Sequence, residues 1–127
     1  MEDKNELALV GILDEIRKER VRQHAKWGEQ NIPDGTGPNR LLFGRTETDL
    51  SYRQLRNEAI RTTDAATDLG ILSYSDIMLE EVFEALFEKD QEPLRAELIQ
   101  CAAVAVQWIQ KIDREKAAQQ KQVKQHE

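Results

Sequence analysis

The stretch that decides the fold is "SYSDIMLEEVFEALFEKDQEPLRAELIQCAAVAVQWI", residues 73–109. On a helix at about 100° per residue, Glu80, Glu81, Glu84 and Glu88 of its first half fall on one narrow arc. Met78, Leu79, Val82, Phe83, Ala85, Leu86 and Phe87 fill most of the remainder. Ser73 stands as an N-cap with Asp76 in the first turn, so a helix is expected over about 74–89. "KDQEP" turns the chain, and Pro93 suits the first turn of a further helix, expected to run to about Ala118. Its main apolar stripe is Leu94, Leu98, Cys101, Ala105, Trp108 and Ile112, widened by Ala102, Val104 and Ile109. Glu97 falls inside that arc and Gln100 lies on its edge. A carboxylate on a core face is costly without a cation or a strong donor.

Upstream, helical patterning runs from about Glu6 to Trp27 and stops at Gly28. Its core stripe reads Leu9, Leu13, Ile16 and then turns polar and aromatic: Arg20, Gln23, His24, Trp27. A face that changes in this way suits a helix leaving a core to line a pocket. Arg20 can neutralise phosphate or pair with an acid, Trp27 can stack on a base or cap the core, and Gln23 can hydrogen-bond a base edge. Lys26 sits beside a long connection, "GEQNIPDGTGPNRLLFGRTETD" at 28–49, rich in Gly, Pro, Asn and Asp. Connections of that length are functional or disordered, and the glycines suggest a segment that moves over a site. Another helix is expected over Ser51–Leu69, with Ser51 and Gln54 at capping-box spacing and Gly70 ending it.

No stretch alternates in period two with β-branched residues, so strands are not expected. Short connections between the last three helices predict antiparallel neighbours. The expected fold is all-α, an antiparallel four-helix bundle-like domain over 1–118, with 119–127 as a polar, flexible tail. The small-residue run "CAAVAV" and the broad apolar surface of the fourth helix predict a homodimer or homotetramer.

At 127 residues the chain suits one core. Its net charge of −6 disfavours binding to a nucleic-acid polymer or a membrane surface. One cysteine, Cys101, excludes an internal disulfide framework. No apolar run is long enough to cross a bilayer, and "MEDKNE" is unlike a signal peptide. A cytoplasmic location is the expectation.

Glu81 and Glu84 are three apart, as are Glu97 and Gln100, and residues three apart are neighbours on a helix surface. If the two helices pack antiparallel, three carboxylates and one amide oxygen converge. Their mutual repulsion calls for a counter-charge, and an all-oxygen set suits Mg²⁺, with Mn²⁺ possible, rather than zinc. The alternatives are a solvated acidic surface, or an arginine partner for Glu97.

"EEVFE" at 80–84, twelve intervening residues, then "ELIQ" at 97–100 resembles the EExxE…ExxD signature of the MazG-like all-α nucleoside triphosphate pyrophosphohydrolases. "ERVRQHAKWGEQN" at 19–31 is similar to the segment that precedes the metal helices in a subset of them, and the likeness extends from about Glu19 to Arg114. The resemblance implies hydrolysis of a ribo- or deoxyribonucleoside triphosphate to monophosphate and pyrophosphate. It implies catalysis and Mg²⁺ binding by Glu81, Glu84 and Glu97; with that chemistry, the polar end of the first helix is expected to meet substrate through Arg20, Gln23, Lys26 and Trp27. The family pattern has Asp where this chain has Gln100. An amide can ligate Mg²⁺ but brings no charge and accepts no proton from water; Glu80 and Glu88 are the nearest acids to compensate. Two other readings follow from the same residues: a nucleotide- or metal-binding module with weakened catalysis, and a structural helical assembly protein.

Overall fold

The computed structural model describes residues 3–44 and 50–126. It is all-α: α1 Lys4–Trp27, α2 Tyr52–Leu69, α3 Tyr74–Phe87 and α4 Gln91–His126, with a short 3-10 turn at Leu42–Gly44. Among the described residues there is no strand, only an isolated antiparallel bridge between Leu41 and Ser51. No helix among them is long and apolar enough to cross a membrane. The chain divides into two compact units, Met1–Ile32 with Val106–Glu127, and Pro33–Ala105.

The helix boundaries follow from local chemistry. The Asp3 carboxylate accepts from the Asn5 N–H at 3.1 Å and caps α1. Gly28, at φ 67°, closes the other end by donating its N–H to the His24 carbonyl at 2.7 Å. Ser51 caps α2 through Gln54 N–H at 3.2 Å. Gly70 ends α2 in the left-handed conformation, which costs a glycine little. Ser73 and Asp76 form a complete capping box at the start of α3, with Ser73 N–H donating to the Asp76 carboxylate at 3.1 Å. Each cap satisfies amides that a helix terminus otherwise leaves unpaired.

In the second unit, α2 packs along α3. The pairing is antiparallel: the Thr63 hydroxyl donates to the carbonyl of Asp76 at the start of α3, while Arg56, near the start of α2, lies over Phe87 at the end of α3. The turn at 88–90 then reverses the chain into α4. Ala85 (1% exposed), Ala66 and Leu94 are buried in this unit, as is Val104. Small side chains at 66 and 85 let helices approach closely.

Part of the connection between α1 and α2, expected over 28–49 as a segment that moves over a site, is hydrogen-bonded to helix ends. Residues 35–41 are strapped to the helix ends. Gly37, buried, donates its N–H to the Leu86 carbonyl at 2.9 Å. The carbonyls of Pro38 and Arg40 accept from Arg53 and Tyr52 N–H at 3.1 and 2.9 Å. The loop thus supplies partners for the first amides of α2 and a late carbonyl of α3. Residues 45–49, the remainder of that expectation, lie outside the described residues.

Three other expectations change. The core stripe of α1 is not Leu9, Leu13, Ile16: Ile12 is buried, whereas Leu13 and Ile16 are exposed. On α4, Leu98, Ile109 and Ile112 of the expected stripe are exposed, and Val106, outside it, is buried. Helical patterning identifies an apolar arc, but which part is covered depends on where neighbours lie. Finally, α4 continues past Ala118 to His126, through the stretch expected to fray or extend into solvent. Its residues 119–125 are exposed, as their polar composition requires. Gln and Lys are good helix formers and need no covered face to extend an existing helix.

Candidate metal centre

Two turns of α3 and one of α4 build the centre. Glu81 and Glu84, one turn apart, project from the same side of α3. The antiparallel return of the chain brings Glu97 of α4 opposite them. Ligand oxygens of Glu81, Glu84 and Glu97 all lie within 4.8 Å of one another, and all three side chains are half-buried. One carboxylate oxygen of Glu81, Oε2, is sealed from solvent and has no hydrogen-bond partner. An ionised oxygen in that position is unfavourable unless something positive meets it.

The electrostatics agree. The carboxyl of Glu81 is held above its ordinary range, first by burial and then by the charges of Glu97 and Glu80. That of Glu84 is raised by burial and by Glu81, Glu97 and Glu80, with Arg56 pulling the other way. The Cys101 thiol, one turn beyond Glu97, is raised by burial and by Glu81 and Glu97. It is therefore held neutral and adds no soft thiolate to the donor set. What remains is oxygen, close-set and partly desolvated, which fits Mg²⁺ or Mn²⁺ and does not favour zinc.

The three acids among the four ligands expected from the sequence are brought together. Gln100 is exposed on α4. Glu80 and Glu88 are half-buried, and Glu80 is close enough for its charge to act on both Glu81 and Glu84.

The residues expected to hold substrate lie in the other compact unit. Arg20, Gln23 and Trp27 line one open concavity of about 930 Å³, together with His24 and Ile32. Arg20 does not meet an acid there: its guanidinium donates to the Gln23 side-chain oxygen at 2.6 Å. The Lys26 ammonium sits 4.9 Å from the centre of the Trp27 ring, a cation–π distance. Trp27 is exposed, so it does not cap a core in this chain. The preceding stretch is laced by surface pairs, Arg17 and Lys18 on Asp14 and Arg22 on Glu19, which contribute little to stability.

Arg56 was not singled out by its sequence context. Its guanidinium carbon lies 3.8 Å from the centre of the Phe87 ring, its Nε is buried without a hydrogen-bond partner, and its charge is felt at Glu84. A lone arginine in a mid-helix "LRNEAIR" carries no local signal, because its ring partner is 31 positions away.

Comparison of the chain with family models, with curated proteins and with solved structures finds no match.

Proposed function

We propose that the protein is a Mg²⁺-dependent nucleoside triphosphate pyrophosphohydrolase, releasing pyrophosphate and a nucleoside monophosphate. The observation that carries this reading is the convergence of Glu81, Glu84 and Glu97 from two helices, with an orphaned, buried oxygen on Glu81. The EExxE…ExxQ spacing supports it through the likeness to the MazG-like enzymes, and so does the antiparallel return of α3 into α4.

In this reading Glu81, Glu84 and Glu97 would hold the cation, which would supply positive charge to the polyphosphate. A carboxylate of the cluster would orient a water for in-line attack and take up its proton. Half-burial of the centre lowers the local dielectric and strengthens each of these interactions. Taken by itself, the end of α1 offers Gln23 and Trp27 to a base and Arg20 and Lys26 to phosphate. For that role Arg20 exchanges its Gln23 partner, and Lys26 its Trp27 partner, for the ligand.

The test is direct. Purified protein with Mg²⁺ and a panel of ribo- and deoxyribonucleoside triphosphates should release pyrophosphate, with Glu81→Ala as the inactive control. No turnover of any of them defeats the enzymatic reading. Gln100, neutral where the resembled family has an acid, favours a second reading, a nucleotide-binding module with weakened catalysis. It predicts a rise in melting temperature with Mg²⁺ and nucleotide but no pyrophosphate.

The same reading includes a homo-oligomeric, bundle-like assembly. Leu7, Val10, Leu13 and Ile16 of α1 are each more than 40% exposed, as are Leu98 and Ile112 of α4. Apolar faces of that extent are more than a monomer ordinarily leaves in water. Sedimentation should give the mass of two or four chains; a monodisperse monomer contradicts it.

A further inference from the structure

The acid centre has a companion on its α2 side. Three carboxylates holding one divalent cation still carry net negative charge, and a triphosphate is itself a polyanion. The cation alone therefore does not make the site attractive to substrate; a protein cation close by is required. Arg56 has the features of that group. It is half-buried on α2 within the same compact unit as the acids. Its guanidinium lies flat enough on the Phe87 ring for a centroid distance of 3.8 Å, and Arg53, one turn earlier and exposed, reaches the same ring at 5.6 Å. Its positive charge acts on Glu84, yet no ion pair neutralises it among those the described residues form. The polar contact it makes through Nη2 is to the Asn57 side chain at 3.2 Å, and Nε is sealed without an acceptor.

A buried guanidinium donor left without an acceptor is costly. Stacking on Phe87 fixes the plane of the group, so little freedom is lost when an anion arrives. The strap at 35–38 ties the two helix ends of this region together through Gly37 N–H on the Leu86 carbonyl and Arg53 N–H on the Pro38 carbonyl. We propose that Arg56, oriented by Phe87, is a polyphosphate-binding residue that receives the phosphate oxygens the divalent cation leaves uncompensated, with Arg53 as its outer partner. This assignment rests on the metal-centre reading above.

Inorganic tripolyphosphate and Mn²⁺ separate the two. Mn²⁺ uptake by wild-type protein without any anion tests the acid centre. Tripolyphosphate affinity of the Mn²⁺-loaded protein tests Arg56. In Arg56→Gln, Mn²⁺ affinity should be unchanged or up to about tenfold tighter, because a repelling charge is gone. Tripolyphosphate affinity should fall by about tenfold or more, as expected for losing a charge-assisted contact. Arg56→Lys should recover part of it, and Phe87→Leu, which keeps an apolar neighbour but removes the ring, should show a smaller loss. Loss of tripolyphosphate affinity without loss of Mn²⁺ affinity is the signature; a merely structural role for Arg56 weakens both together and overturns the assignment. Unchanged tripolyphosphate binding in Arg56→Gln also overturns it, while leaving the metal centre standing. Wild-type protein that takes up no Mn²⁺ defeats the metal-centre reading, and this assignment with it.

Discussion

Glu81→Gln is expected to stabilise the metal-free protein while abolishing its activity. The activity loss should be about a thousandfold or more in kcat/KM, since a charged ligand and a proton acceptor go together. The stability gain follows from the raised carboxyl. Burial, Glu97 and Glu80 hold Glu81 above its ordinary value of 4.5, so the folded chain binds this proton more tightly than the unfolded chain does. Linkage then fixes the sign: the folded state is favoured by this group below 4.5, and that contribution is lost as pH rises through the folded value. Glu84 behaves in the same way. A neutral amide at 81 removes one share of the loss and relieves the other carboxylates. The half-exposed setting limits the gain to about 1 kcal/mol, or about 4 °C in melting temperature for a chain of this size.

Thermal unfolding between pH 4 and pH 8 checks it. The curves of wild type and Glu81→Gln, both stripped of metal, should nearly coincide at pH 4 and separate as pH rises, with the variant melting higher. Added Mg²⁺ should raise the wild type at pH 7.5 and leave the variant almost unmoved. A variant that melts lower at pH 7.5, with Mg²⁺ stabilisation intact, would place Glu81 outside any cation site.

Gln100→Asp is expected to act in the opposite direction, raising turnover by about ten- to a hundredfold and tightening Mg²⁺. Gln100 is one turn from Glu97 on α4 and is exposed, so an acid there can be accommodated without desolvation. It would add the charge that the amide lacks and a further proton acceptor. Steady-state pyrophosphate release at several Mg²⁺ concentrations reads both effects. If Mg²⁺ tightens and turnover does not rise, the missing acid is not what limits the chemistry, and the reading of a module weakened by Gln100 loses its ground.

Ser51, Ser73, Gly28 and Gly70 mark helix ends because capping is a matter of one side chain and the amides two or three positions on. The Glu81–Glu84 pair and the Glu97 position follow from the helical repeat. Their convergence required only that α4 return antiparallel after a three-residue turn, which a connection so short favours. The Arg56–Phe87 stack was hidden, since nothing in either local sequence points to the other. The strap of Gly37 and Pro38 was hidden for the same reason: Gly and Pro signal a loop, and a loop's anchors are set by what it lies against. The choice of Ile12 over Leu13 and Ile16 was beyond periodicity, because all of them belong to one broad apolar arc.

The amino-acid sequence by itself determined the helical class, the helix starts, and which acids share a turn, because hydrogen bonding and side-chain spacing within a helix are fixed over a few residues. Only the tertiary structure decided which apolar residues are covered, that Gly37 is locked against α3, and that a guanidinium stands beside the acids. Those outcomes depend on contacts between segments distant in the chain, whose free energies are set by geometry that no local stretch encodes.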